Sequence, residues 1–424
     1  MTAIDVRVSD RGEPNPVIRH RTACRACGQS ALRRFLELGP QPLANAFLRT
    51  ADEFAHERRY PLDLYFCTAC SLVQLADVID PEVLFGEYIY VTGTSTTIAE
   101  HNRRYARAVV DELGLSADDL VVEIASNDGS LLQCFGDLGV RILGVEPARN
   151  IARVAKDRGV PTENMFFGRD VGSALRATHG KARAVIGNNV LAHVDDTAGF
   201  LQGAADLIDD DGAVIVEVPY AREMLERVEY DTVYHEHLCY FSVTALTHLG
   251  ASAGLGVERV DEVPVHGGSV RVWFRKGATP GATAQAFLAA ERRNGLATLA
   301  AWEQFADRTR AQRQELRALL QRLTTEGKRI AAYGAPAKGN TLLNYCGIGV
   351  DLVPYTVDRN PLKVGTFTPG MHLPVRPAST LLEDMPDYVL ILAWNFADEI
   401  MQQQAAYSAA GGRFILPIPA PSII

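Results

Sequence analysis

The chain has 424 residues, close to three times the size of a common domain of about 150 residues, so two or three domains are expected. Hydrophobic residues make up 47% and charged residues 22%, an ordinary globular composition that excludes disorder for the bulk of the chain. The net charge of −9, without any basic block, argues against nucleic acid as a partner. No apolar run approaches the ~18 residues of a membrane span, and the polar start MTAIDVRVSDRGEPNP lacks the apolar core of a signal peptide. A cytoplasmic protein without a membrane partner is the expectation.

Residues 1–20 read as a flexible tail, and residues 21–80 as a small module broken by Pro and Gly. Within it, Cys24-Arg25-Ala26-Cys27 and Cys67-Thr68-Ala69-Cys70 form two knuckles with 39 residues between them. A two-residue spacer turns both thiolates of a knuckle toward one metal, so the four cysteines predict a tetrahedral Zn²⁺ site with no open position. Two chance CxxC pairs are the plain alternative. Cys134, Cys239 and Cys346 are scattered and read as buried apolar cysteines.

Residues 81–277 carry alternating buried strands and amphipathic helices. Strands are expected at 120–125, 141–146, 182–188 and 212–219, with helices in SLLQCFGDLG, PARNIARVAKDRG (Pro147 near its first position) and TAGFLQGAADLI. A helix in VTALTHLGASAG and an antiparallel pair, 256–263 with 268–276, complete the unit. The βα alternation implies a parallel, doubly covered sheet. Residues 278–424 then hold long helices over 281–326 and a second α/β unit, with strands at 353–358, 388–394 and 413–418. The fold class is therefore α/β: a four-cysteine module, a central Rossmann-like domain, a helical connector and a C-terminal Rossmann-like domain.

Ligands of such sheets bind beyond the carboxyl ends of the strands. Glu146 closes the second strand, 23 residues after Glu123, the offset at which an acid meets a ribose diol. The intervening loop, Ala125-Ser126-Asn127-Asp128-Gly129, is not the GxGxxG of a dinucleotide site, and Asp128 at the helix start would repel pyrophosphate. S-adenosylmethionine carries no phosphate and tolerates carboxylates. Glu123, Ser126, Asn127, Gly129, Glu146 and Asn188 are therefore the candidate cofactor residues of an S-adenosylmethionine domain of class I methyltransferase type. In the C-terminal unit, the strand–loop–helix segment around Gly334, Lys338, Gly339 and Asn340 suits a diphosphate, and Asp358 ends the next strand where it could meet a sugar hydroxyl. A duplicated domain that binds nothing is the alternative.

Four segments, EIASNDGSLL (123–132), NNVLAHVDD (188–196), VEYDTVYHEHLCYFS (228–242) and YGAPAKGN (333–340), stand in this order behind the CxxC…CxxC module. The combination resembles the nucleotide-sugar C-methyltransferases, which make branched deoxysugars such as mycarose and tetronitrose in antibiotic biosynthesis. The resemblance spans residue 21 to the end. It implies a zinc module, a central S-adenosylmethionine domain, a C-terminal domain gripping the nucleotide of a dTDP-4-keto sugar, and methyl transfer to C3. Ala125 stands where loops of the family often carry Gly, a change expected only to tighten the loop.

Carbon accepts a methyl cation equivalent only as an enolate or carbanion, so the chemistry needs a base for the α-proton and a donor for the oxyanion. By the resemblance the base is His237, with Tyr234 and Glu236 beside it. If the stretch is extended, alternation sends His235 and His237 to one side, and spacing alone cannot choose between them. His193, at the carboxyl edge of the third strand, is a candidate to hold the enolate or to be a packed histidine of the core. Tyr88 and Tyr90 share one face of EYIYVTGTS; the resemblance implies that one, Tyr88 first, meets the sugar, whereas an aromatic lid is the plain reading. Two other functions stay open at this point, a nicotinamide-dependent nucleotide-sugar oxidoreductase and a non-catalytic zinc-module scaffold. Neither the C2 and C3 substituents of the sugar nor the oligomeric state is legible, and a monomer is compatible with everything above.

Overall fold

A computed structural model describes residues 18–85, 96–263 and 268–424. The chain divides into two compact units. The first comprises Met1–Arg33, Cys67–Tyr220 and Leu238–Ala297; the second comprises Arg34–Phe66, Ala221–His237 and Thr298–Ile424. The two cysteine knuckles thus share the first unit, while Arg34–Phe66 between them belongs to the second.

The first unit is built on a seven-stranded sheet: β1 (Leu120–Ile124), β2 (Arg141–Val145), β3 (Thr162–Glu163), β4 (Ala182–Asn188), β5 (Ile208–Pro219), β6 (Leu255–Val263) and β7 (Ser269–Lys276). Their order is β3-β2-β1-β4-β5-β7-β6. β1 to β5 run parallel, whereas β7 pairs antiparallel with both β5 and β6. Every residue of β1 is buried, as a run of Leu, Val and Ile covered on both faces requires. Helices α1 (Thr96–Leu113) and α2 (Ser130–Gly136) pack Tyr105, Val109, Leu131, Leu132 and Phe135 against Val121, Ile186 and Ile215 of the sheet. The strand order reverses between β1 and β4, so the ligand crevice lies at their carboxyl ends.

Several elements differ from expectation. β3, only two residues long, and α4 (Arg169–His179) were not expected. Helix α3 spans Arg149–Asp157, so Pro147 precedes it and is not its first residue. The cause is Glu146, whose Oε1 accepts from Ala148 N at 2.9 Å and holds that stretch as a turn. Ile18–His20, assigned to the tail, pairs antiparallel with Asp77–Ile79. α5 (Thr197–Leu207) starts at Asp196, whose side chain caps Gly199 N at 2.8 Å. α6 (Val243–Ser252) and α7 (Ala282–Arg293) complete the unit.

The second unit opens its C-terminal part with α8 (Leu299–Thr325), which buries Trp302, Phe305, Leu316, Leu320 and Leu323. Its sheet contains β8 (Ile330–Tyr333), β9 (Thr356–Asp358), β10 (Val375–Pro377), β11 (Tyr388–Ile391), β12 (Arg413–Leu416) and β13 (Ser422–Ile423), in the order β10-β9-β8-β11-β12-β13. All neighbours are parallel except β12 and β13. The strand order again reverses beside the first strand, and α9 (Ala337–Cys346) begins there. Among the described residues, no helix is long and apolar enough to cross a membrane.

Candidate functional site

The cysteine knuckles are near copies of each other. Gly28 N bonds Cys24 O at 2.9 Å, and Ser71 N bonds Cys67 O at 2.8 Å, with both closing residues left-handed (φ 69° and 64°). The four Sγ atoms lie within 4.8 Å of one another, with Cys24–Cys70 and Cys27–Cys67 both at 3.6 Å. Zn–S bonds of ~2.3 Å in a tetrahedron put sulfurs about 3.8 Å apart, so the donor set fits Zn²⁺ and is far too open for disulfides. Cys24, Cys27, Cys67 and Cys70 are the residues that would hold the zinc. Elsewhere, Cys239 and Cys346 are buried as expected, while Cys134 is half-buried with Sγ on Ser130 O.

At the carboxyl ends of β1, β2 and β4 lies a cavity of about 480 Å³. Its wall carries Glu123, Ser126 and Asn127 after β1, Glu146 after β2, and the 188–196 segment, including Asn188 and His193, after β4. Asn127 N donates to Glu146 Oε2 at 2.9 Å, so this carboxylate ties the β1 loop to the start of the α3 turn. Burial pushes Glu146 upward, partly offset by those two N–H bonds. Glu123 is held well above the usual carboxylate range by burial, with the Asp128 and Glu146 charges adding to it. Its Oε2 is buried with no hydrogen-bond partner among the described residues.

Three residues of the loop are left-handed, Ala125 (φ 54°), Asn127 (φ 51°) and Gly129 (φ 74°). A Cβ at Gly129 would lie 2.8 Å from Val160, so glycine there serves packing as well as the turn. Ala125 does not merely tighten the loop; it occupies a conformation that costs an L-residue about 1–2 kcal/mol. Ser126 Oγ is buried against Gly144, where an added Cβ would sit 2.4 Å away. Asp128 corrects the argument from charge. It is completely buried, accepts Ser130 Oγ at 2.7 Å and pairs with Arg158 at 2.5 Å, so it does not face the cavity.

The pyrophosphate exclusion stands on other atoms. No Lys or Arg lines the cavity among the described residues, while an unpartnered Glu123 oxygen and the Glu146 carboxylate do. A cationic, phosphate-free cofactor fits this lining. His101, Asn102, Phe85, Phe166 and Phe167 also line it and were missed from sequence. His101 and Asn102 lie on α1, ahead of the first strand, where no motif draws the eye. Glu217, another lining acid, is neutralised by Arg271 at 2.7 Å.

In the second unit the 228–237 block is a turn and not an extended strand, so the two histidines part. His235 is buried, its Nε2 3.2 Å from Pro61 O. His237 is half-buried, with Nδ1 2.9 Å from Thr232 O and Nε2 2.7 Å from Tyr234 Oη. A carbonyl only accepts, so Nδ1 carries the proton and Nε2 accepts from the phenol. Glu236 is buried, accepts Asn45 Nδ2 at 2.7 Å, and is pushed up by burial.

The 334–340 loop is held by Asp358, which accepts Ala335 N at 2.7 Å and Asn360 N at 2.8 Å. Gly334 is left-handed (φ 87°), and a Cβ on Gly339 would lie 2.8 Å from Leu392 Cβ, which gives both glycines a structural reason. Asn340 is buried and donates to Ala44 O. Lys338 Nζ lies 3.8 Å from Glu229 and 5.1 Å above the Trp394 ring. Burial raises Glu229 to about 7, against the opposing pull of Lys338. Lys363, not foreseen, donates to Ala335 O at 2.7 Å. Tyr88 and Tyr90 lie outside the described residues.

The 3-2-1-4-5-7-6 sheet with an acid-floored crevice at its switch point defines an S-adenosylmethionine-dependent methyltransferase. Family models agree: a zinc-binding domain matches residues 24–85, a methyltransferase domain residues 98–260, and a C-methyltransferase C-terminal domain residues 264–419. C-methyltransferase NovU of Streptomyces niveus is 40% identical over 411 residues, covering 96% of this chain and 98% of its own. The chain belongs to this C-methyltransferase family, the one its motifs point to. Among solved structures, magnesium protoporphyrin IX methyltransferase of Synechocystis PCC 6803 is 14% identical over 46% of this chain and 89% of its own (TM-score 0.33). CcbJ of Streptomyces caelestis is 15% identical over 42% and 90% (TM-score 0.33). Likeness at that level adds nothing to the assignment.

Proposed function

We propose that the enzyme methylates C3 of a dTDP-4-keto-deoxyhexose through an enolate formed by His237. The observation that carries this reading is the orientation of His237: Nδ1–H is fixed on Thr232 O, which leaves Nε2 basic and pointed at the Tyr234 hydroxyl. The next residue in the chain, Leu238, lines the cofactor cavity. S-adenosylmethionine supplies an electrophilic methyl group when bound there; Glu123, Glu146, Asn127 and Asn188 hold it, with Ser126 and Gly129 shaping the loop. His237 takes the C3 proton through Tyr234: the phenol proton passes to Nε2 as the phenol oxygen removes the proton from C3, leaving an imidazolium and the enolate. His193 donates to the C4 oxygen as negative charge develops, and one tyrosine of the pair Tyr88 and Tyr90, Tyr88 first, is assigned to the sugar. Glu236 fixes the turn through Asn45.

The nucleotide is assigned to the second unit. The start of α9, Lys338 and Lys363 supply positive potential for the diphosphate, Gly334 and Gly339 let the backbone of the loop close up, and Asn340 and Asp358 hold it in shape. The test is incubation of dTDP-4-keto sugars with methyl-labelled S-adenosylmethionine, followed by mass spectrometry of the product. Label at C3 is expected. Label on oxygen, or a redox product with NAD(P)H and none with S-adenosylmethionine, would contradict the reading.

A further inference from the structure

Arg25 lies between the two cysteines of the first knuckle, yet its side chain serves the cofactor cavity. It is buried, and its Nε donates to Asp195 Oδ1 at 3.0 Å. Nη1 donates to Leu75 O and, at 3.2 Å, to Gln74 Oε1. Gln74 completes the circuit: its Oε1 accepts Arg25 N at 3.1 Å, and its Nε2 donates to Cys24 Sγ at 3.1 Å. Asp195 belongs to the cavity wall after β4, and Arg19 and Arg21 also reach its Oδ2.

A second link runs through the main chain of the same unit. Gln74 pairs with Cys239, Leu75 N bonds Leu238 O at 2.9 Å, and Leu238 N bonds Ala192 O at 2.8 Å. Leu238 lines the cavity, and Ala192 sits one residue before His193. A knuckle needs nothing of Arg25 to bind metal. Burying a guanidinium costs several kcal/mol unless a carboxylate meets it, and without Arg25 the Oδ1 of Asp195 would lose its donor while Oδ2 kept Arg19 and Arg21. The knuckle and the wall therefore fix each other's positions.

We propose that the zinc centre sets the shape of the S-adenosylmethionine pocket through Gln74, Arg25 and Asp195, so that metal and cofactor bind this chain cooperatively. Coupling between binding sites is reciprocal, typically 5–150-fold, and about tenfold is expected for one buried relay. The cofactor should tighten zinc as much as zinc tightens the cofactor.

The test equilibrates the zinc-loaded protein with graded chelator, with and without saturating S-adenosylhomocysteine, and reads retained zinc by emission spectrometry. Wild-type protein should need about tenfold more chelator for half-removal when the ligand is present. Arg25→Gln keeps all four cysteines, so it should retain one zinc per chain, bind S-adenosylhomocysteine about tenfold more weakly by calorimetry, and show no shift in the chelator curve. Arg25→Lys, which keeps the charge and loses the fork, should fall between. If Arg25→Gln does not fold, Asp195→Asn removes the same ion pair and should shrink the shift equally. Superimposable wild-type curves would overturn the proposal. A shift that persists at full size in Arg25→Gln or Asp195→Asn would do so too, since zinc would then act only by holding the unit folded.

Discussion

The molecule uses one architecture twice and charges it in opposite ways. In each unit the order of the parallel strands reverses beside the first of them, a loop containing at least one left-handed residue follows that strand, and an acid at the end of the second strand grips the loop backbone. Glu146 holds Asn127 N and Ala148 N; Asp358 holds Ala335 N and Asn360 N. The surroundings differ. Around Glu146 the cavity has no Lys or Arg among the described residues and leaves a Glu123 oxygen unpartnered. Around Asp358 the loop is flanked by Lys338 and Lys363. Backbone geometry thus repeats one loop-and-acid arrangement, and the charge of the surrounding side chains differs between the two.

The comparison breaks first at the acids and lysines. Glu146→Ala removes a carboxylate that accepts two backbone N–H groups, and should weaken S-adenosylhomocysteine about a hundredfold in calorimetry while leaving dTDP binding unchanged. Lys363→Met should do the reverse. Equal loss of both ligands in either variant would mean that the two crevices are not separate sites.

A smaller effect is expected at Glu229, whose folded pKa of about 7 lies above its ordinary value because of burial. A raised carboxyl pKa means that the folded state holds its proton longer than the unfolded chain. Stability from this group is therefore full below about pH 4.5 and is lost as pH rises toward 7. Glu229→Gln should melt with the wild type near pH 5 and be more stable above pH 7, by about 2 kcal/mol after allowing for partial solvent access. Melting curves at the two pH values decide it, and a variant less stable at pH 8 would show that the Lys338 pair outweighs burial.

The smallest effect concerns the loop itself. Ala125→Gly at φ 54° relieves left-handed strain and loses some unfolded-state restriction, for a net gain of about 0.5–1 kcal/mol by denaturant melting. A loss would mean that the Ala125 methyl group packs more usefully than it strains.

The zinc ligands were legible because CxxC spacing alone aims two thiolates at one point. The long strands were legible because LVVEI is buried throughout and ARAVIGN at all positions but Arg183 and Asn188, so each reads as a mainly apolar run. β3 was not, since two residues carry no period. What Asp128 does was hidden as well: its partner Arg158 lies 30 residues away, and without that pair a buried acid reads as one facing the ligand. Alternation along an extended block does not separate His235 from His237; the turn at 234–236 sends one to the Pro61 carbonyl and the other to Tyr234. Arg25 carries no signal in the sequence because a knuckle's spacer positions are normally free to vary.

Proton exchange at C3 tests the enolate account most directly, because it separates deprotonation from methyl transfer. Wild-type enzyme in D2O with a dTDP-4-keto sugar and S-adenosylhomocysteine should wash deuterium into C3. His237→Gln should slow that exchange by about 10²–10⁴-fold, the usual worth of a general base, while both ligands bind nearly as before. Exchange at the wild-type rate in His237→Gln would contradict the account and move the base to another group, His193 first.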